Sequence, residues 1–203
     1  MQPKGTHLAE LNVGRLIAET DDPRVAEFMN ALDSINGLGK RMPGFVWMME
    51  GSGEPNTGNT ETKIDGDPRY VANLTVWENV ETLENFVFNT LHRRFYERRR
   101  EWFEVLGEMH FVMWWVPVGH KPSLEEALER LEHLKTHGDS DHAFGWSYLK
   151  DAKLWRSRAC VVTSSSMPIS RFCARPSIMR VMTRHIQPVP SRHGVHWPQL
   201  SCL

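Results

Sequence analysis

Asn73, Thr75 and Trp77 fall at alternate positions of one segment, so in a β-strand their side chains project from a single face. An amide, a hydroxyl and an indole in a row can hold a phenolate or carbonyl oxygen and stack on an aromatic ring. The same residues also suit a core tryptophan beside a satisfied buried amide, and a four-residue spacing does not separate the two readings. Glu10 and Asn12 occupy alternate positions of the first strand-like segment, where they can meet Asn73 and Thr75 across a sheet. A carboxylate there acts as a base toward an acidic C–H or O–H group, or else faces solvent on a half-exposed strand. His92 stands at a break in a long helical region, a place from which an imidazole can reach a sheet edge as general base. Arg93 and Arg94 beside it can bind a carboxylate or enolate oxygen. Arg98, Arg99 and Arg100, interleaved with Glu97, Glu101 and Glu104, have the spacing of a solvated helix laced with ion pairs. The candidate site is therefore His92 and Glu10 as proton-moving groups, with Asn73, Trp77, Asn12, Thr75 and Trp114 as binding groups. Trp114 enters because Trp114 and Trp115 point to opposite faces of their strand, so one of the two can line a pocket.

Other chemistries are disfavoured. His133 and His137 are spaced i,i+4 with His142 close behind, but no Glu follows His133 as a metalloprotease helix requires. A solvated helix face is the expected state of these histidines, and no metal is expected. Gly37-Leu38-Gly39-Lys40 lacks the spacing of a phosphate loop, no GxGxxG follows a strand, and no nucleophile elbow is present, so no cofactor is expected. Trp47, Trp102, Trp114 and Trp115, with Met48, Met49 and Met113, suit a core and an interface.

The elements that must position these groups follow from periodicity. His7–Leu16 alternates as a strand, and Asp22-Pro23 opens a helix carrying Val25, Phe28, Leu32 and Ile35, which Gly37 and Gly39 are expected to end. Phe45–Glu50 is a second strand, Gly51–Pro68 a long polar loop, and Tyr70–Trp77 a third strand. Helical patterning runs from Glu78 to about Gly107 with a break near Asn89–His92, and Met109–Val116 is a bulky fourth strand. Ser123 with Glu126 forms a capping-box signal ahead of Leu124, Ala127, Leu128, Leu131 and Leu134. This order predicts an α+β, ferredoxin-like βαββαβ sandwich with an extra C-terminal helix. Helices then cover one sheet face, and the face left open argues for a homodimer.

The chain has 203 residues, of which 40% are hydrophobic, enough for one well-buried domain. Its net charge of -1 is a cancellation. Up to Asp151 there are 25 acidic against 16 basic residues, and after it eight basic residues and no acid, so the two parts carry about -9 and +8. All three cysteines, Cys160, Cys173 and Cys202, lie in the basic part, which excludes a disulfide framework for the rest. Residues 1–158 are expected to form the domain, and 159–203 a basic, aperiodic and disordered tail with no dedicated nucleic-acid role. With no membrane-length apolar run and no apolar signal core near Met1, a soluble cytoplasmic protein is expected.

Several motifs carry a resemblance. They are His7-Leu-Ala-Glu-Leu-Asn12, Asp22-Pro23, Pro43-Gly-Phe-Val-Trp47, Asn73-Leu-Thr-Val-Trp77-Glu78, His92-Arg-Arg, Arg99-Arg-Glu-Trp-Phe103, Trp114-Trp-Val-Pro117 and Gly119-His120-Lys-Pro122. Over residues 7–158 the chain resembles a bacterial family catalogued as a domain of unknown function, with the dimeric α+β barrel fold. At fold level that family is similar to the antibiotic-biosynthesis monooxygenases. The resemblance implies two sheets packed across a two-fold axis, each subunit enclosing a pocket on the sheet face opposite its helices. In cofactor-independent monooxygenases of this superfamily an Asn and a Trp at the spacing of Asn73 and Trp77 contact a phenolic substrate. The implied function is binding of an aromatic or polyketide-like small molecule, as such a monooxygenase or an isomerase, or as a non-catalytic ligand-binding or accessory dimer. An enzyme of this kind requires Asn73, Trp77, Glu10 and His92 around one water-accessible cavity. Truncation after Arg158 is expected to leave the urea unfolding midpoint unchanged, since an aperiodic basic segment buries too little apolar surface to matter.

Overall fold

The computed structural model describes residues 1–52, 57–62, 64–106, 110–150 and 152–155; the expected tail lies outside them. Strand β1 (Thr6–Arg15) is hydrogen-bonded on both edges, to β3 (Tyr70–Trp77) and to β4 (Phe111–Pro117), and β2 (Phe45–Met48) adds to the far side of β3. The four strands form one antiparallel sheet in the order β2-β3-β1-β4. Register across β1 and β3 sets Leu8 opposite Trp77, Glu10 opposite Thr75 and Asn12 opposite Asn73. Five helices accompany the sheet among the described residues: α1 (Ala26–Lys40), the single turn α2 (Thr57–Thr60), α3 (Val80–Asn89), α4 (His92–Arg98) and α5 (Leu124–His137).

Helix boundaries show where local chemistry overrides simple signals. Asp22 does not cap α1. Its carboxylate accepts the Arg24 N–H at 2.8 Å within the preceding turn, and the helix begins at Ala26 with no side-chain cap. Gly37 and Gly39 do not end α1 either. Gly39 is buried in its last turn, where a Cβ would lie 3.4 Å from the Phe86 ring, so the glycine lets α1 approach α3 closely. The expected break holds: α3 ends at Asn89, Thr90 turns extended, and α4 begins at His92. At the start of α3, Asn79 and Thr82 make a full reciprocal capping box. At α5 the box is half made: Ser123 Oγ accepts the Glu126 N–H at 3.1 Å, while the Glu126 carboxylate turns to Trp114 and His120.

Both faces of the sheet are covered within the chain. Leu8, Trp77, Phe111 and Met113 pack against Val80, Leu83, Phe86 and Val87 of α3, with Ile35 and Leu38 of α1 joining them. The opposite face, carrying Leu11, Ala72, Leu74, Val76, Val112 and Trp114, packs against Ala127, Leu131 and Leu134 of α5. A third cluster unites Leu16, Val25, Val71, Trp102 and Phe103 with Phe28 and Phe95 at one end. The expected open face is therefore absent: Leu11, Ala72 and Val76 are fully buried, and the sheet does not close into a barrel. The extra C-terminal helix of the expected pattern, α5, is the cover of the second face, and the packing argument for a dimer through that face falls with it. After α5 the chain returns along the β4 edge, where Met113 and Phe144 exchange both backbone hydrogen bonds at 2.7 and 2.9 Å, masking that edge. No helix among the described residues is long and apolar enough to cross a membrane.

Because α5 is held mainly by a leucine stripe, truncating its most buried member should be costly. Leu134→Ala is expected to lower stability by about 2–5 kcal/mol in urea titrations, with an unchanged far-ultraviolet spectrum at zero denaturant.

Candidate functional site

Alternation in β1 and β3 directs Leu8, Glu10 and Asn12, and Val71, Asn73, Thr75 and Trp77, toward the helices α1, α3 and α4. The polar candidates thus lie on the helix-covered face, not on the face opposite the helices where a barrel pocket was expected. Six polar or charged residues are buried among the described residues: Glu10, Asn12, Asn59, Thr75, Glu84 and His92. All except Glu84 sit in this one layer.

A directed hydrogen-bond chain ends on Glu10. The Trp77 indole N–H donates to Thr75 Oγ1 at 2.8 Å, and the Thr75 hydroxyl donates to Glu10 Oε1 at 2.6 Å. Burial pushes the Glu10 carboxyl up to about 8, and the Thr75 hydrogen bond only partly opposes it. At neutral pH Glu10 is thus mostly the neutral acid. Trp77 is core: 1% exposed, stacked on Phe86 at 5.2 Å and edge-on to Phe45 at 5.5 Å. It is not free to stack on a substrate.

Beside this chain, α1, α2, α3 and α4 enclose a small cavity against β3, with a volume of about 50 Å³. Its walls are Phe28, Leu32, Ile35, Val71, Phe86 and Phe95, and its polar groups are Asn36, Asn59, Asn73 and His92. The amides are linked: Asn36 Nδ2 donates to Asn59 Oδ1 at 2.7 Å, and Asn59 Nδ2 donates to Ala72 O at 3.0 Å and reaches Asn73 Oδ1 at 3.5 Å. His92 leans on Phe86 with ring centroids 4.8 Å apart, its Nδ1 3.4 Å from Val87 O. Asn12, opposite Asn73, keeps a buried Oδ1 without a hydrogen-bond partner among the described residues. Such an acceptor costs about 1–3 kcal/mol unless something donates to it.

Of the sequence candidates, Asn73 and His92 share the cavity; Glu10, Asn12 and Thr75 belong to the same layer but do not line it, and Trp77 closes the layer as core. Trp114 is elsewhere. It lies under α5 on the other face, donating its indole N–H to Glu126 Oε1 at 3.0 Å, and Glu126 Oε2 is 2.8 Å from His120 Nε2. Trp115 takes the helix side instead and packs on Phe144. Arg98 pairs with Glu101 three residues on, as the charge spacing implied, and also with the distant Glu27; Arg93 pairs with Glu97, while Glu104 pairs with Arg15 and Arg69 instead of the arginine run. Asn36 and Asn59 escaped the sequence reading. Asn36 had a signal, an amide beside Ile35 on the inward side of α1; Asn59, in a Gly, Asn and Thr-rich loop, had none.

A larger cavity of about 420 Å³ lies along α3 near Trp115, Leu149 and Lys153. Three of its polar groups already have structural tasks. Both Glu84 carboxylate oxygens accept backbone N–H groups, from Lys153 at 3.2 Å and Trp155 at 2.9 Å, Asn79 caps α3, and Gln2 donates to Thr6 and Glu78 carbonyls. It is a seam where residues 149–155 cross α3, and it holds none of the convergent groups of the smaller cavity.

Glu10 gives a measurable signature. The folded protein holds this proton up to about pH 8, whereas the unfolded chain releases it near 4.5. Between those values the native state binds more protons, so stability falls as pH rises, by on the order of 3–5 kcal/mol across the window. Glu10→Gln, which cannot ionise, should flatten this slope and exceed the wild type in stability above pH 8, as measured by urea unfolding at stepped pH.

No curated protein matches the sequence. Among solved structures, the NE2512 protein of unknown function from Nitrosomonas europaea aligns with 9% identity and a TM-score of 0.38, over 60% of this chain and 97% of that one. A family model described as a domain of unknown function (DUF3291) matches residues 7–160, and the chain belongs to that family.

Proposed function

We propose that this protein is a non-catalytic small-molecule-binding domain of ferredoxin-like βαββαβ connectivity, whose ligand is received between α1, α4 and the sheet. The observation that carries the reading is the convergence of Asn36, Asn59, Asn73 and His92 on one cavity whose remaining walls are phenylalanine and aliphatic. Binding sites of small molecules have this composition, mostly apolar with a few placed polar groups. The strand order β2-β3-β1-β4, with α1 and the α3–α4 pair on one face, supports the connectivity.

Electrostatics favour binding over catalysis. A monooxygenase or isomerase of the expected kind needs a base at the ligand; Glu10 is neither ionised at neutral pH nor part of the cavity wall, and His92, which lines it, is packed on the Phe86 ring with its Nδ1 3.4 Å from Val87 O. The Asn73–Trp77 clamp is also unmade, because Trp77 packs on Phe45 and Phe86. At about 50 Å³ the cavity holds a few waters or a fragment of a few heavy atoms, whereas a benzene-sized ring occupies an apolar cavity near 150 Å³. An aromatic or polyketide-like ligand of the expected class therefore enters by displacing Phe28 or Phe95 as α1 or α4 moves outward.

Phenol, indole and small hydroxylated aromatics at a hundred times their dissociation constant should raise stability by about 2.7 kcal/mol, a shift of several degrees in thermal unfolding. Ala31→Phe, which fills the cavity from α1, should abolish the shift while keeping the fold. Retention of the shift in that variant would place the ligand elsewhere.

A further inference from the structure

We propose that α5 and the turn after it form a site for a divalent transition metal of the zinc class, with Glu129, His133 and His142 as ligands. Glu129 and His133 are four residues apart and share one face of α5. The helix ends at Gly138, whose φ of 75° and N–H to Leu134 O at 3.0 Å turn the chain back so that His142 returns beside them. One donor atom from each of the three residues lies within 4.8 Å of the other two. His142 Nε2 is 3.0 Å and 3.2 Å from the Glu129 oxygens, and the His133 and His142 rings are 4.5 Å apart. Tetrahedral coordination with bonds of about 2.1 Å needs donors roughly 3.4 Å apart, so partly exposed side chains have to close by only about an ångström. His137 stacks on His133 with centroids 4.4 Å apart, its Nδ1 engaged by Thr136 Oγ1 at 2.7 Å and His133 O at 3.2 Å, and stands outside the donor set. From sequence a solvated face is expected for these histidines, His142 included; the Glu129 carboxylate beside them changes that reading.

The turn is held before any metal arrives. Ser140 Oγ accepts the N–H groups of His142 at 3.3 Å and Ala143 at 3.4 Å and lies 3.3 Å from His133 Nε2, while Asp139 Oδ1 accepts the Gly145 N–H at 2.8 Å. Arg130 opposes binding. Its guanidinium contacts His142 Nδ1 and donates to His142 O at 3.1 Å. A hydrogen donated to Nδ1 places the ring proton on Nε2, the atom facing Glu129, and that proton must leave Nε2 before a metal is coordinated there. The arginine charge also repels a dication.

Calorimetric titration of the full chain with Zn²⁺ tests this, with Co²⁺ spectra reporting the ligand type. One equivalent should bind; His133→Ala and His142→Ala should each weaken it at least about tenfold, and Arg130→Gln should tighten it. Replacing Cys160, Cys173 and Cys202 by Ser should change neither affinity nor spectrum. Glu129→Gln provides a milder variant, expected to weaken binding without altering the unfolding midpoint. The proposal is overturned if no heat is seen at millimolar Zn²⁺, if either histidine variant binds as the wild type does, or if the serine variant loses the metal.

Discussion

Everything in this fold leans on β1. It is paired on both edges, packed on both faces, and buried from Leu8 to Gly14 without interruption. A strand so enclosed has no solvent face on which to leave a polar side chain. Glu10 is tolerated there because register brings Thr75 opposite it. Pairing satisfies one Glu10 oxygen through Thr75 and leaves the Asn12 carbonyl oxygen without a donor among the described residues. The weakened acidity of Glu10 and the polar character of the neighbouring cavity are consequences of the same enclosure.

That enclosure also explains which parts of the fold could be read from sequence. Period-two alternation in residues 7–16 and 70–77 locates both strands and states which residues share a face, since pleating alone determines it. It does not state which helices cover which face. Polar alternate positions resemble a solvated or pocket-lining face, so Glu10, Asn12, Asn73 and Thr75 looked like the side away from the helices. In fact Glu10 with Thr75 and Asn73 with Asn59 are hydrogen-bonded under α1 and α3, while the largely apolar side is closed by α5. Helix ends were misread for a related reason. Gly39 has the composition of a stop signal, yet it serves close approach to Phe86, a tertiary demand that no local pattern displays.

Candidate residues divided along the same line. Grouping Asn73 with Glu10, Asn12 and Thr75 needed only strand alternation and the hairpin-like pairing of two segments. Placing His92 against the same layer needed the helix break near Asn89, which low helix propensity exposes. Asn59 could not be found this way: its role depends on a single helical turn inside a polar loop folding back onto Ala72 and Asn73. Trp114 was separated from the group by one residue of register, which sends it to the α5 side, where Glu126 turns away from its capping role to receive the indole.

The two faces consequently carry different chemistry. Under α1, α3 and α4 the polar groups are amides, a hydroxyl, an imidazole and a carboxyl that burial keeps neutral, an environment that disfavours charged ligands and rewards neutral ones able to donate and accept. On the outer side of α5 the groups are exposed or half-exposed imidazoles and a carboxylate, where water screens charge and a dication meets no comparable desolvation cost. Helix α5 separates them: its leucines seal the apolar face of the sheet, and its opposite side presents Glu129 and His133. Occupation of one face thus requires no rearrangement of the other, because the rigid element between them is anchored by apolar packing that neither ligand touches.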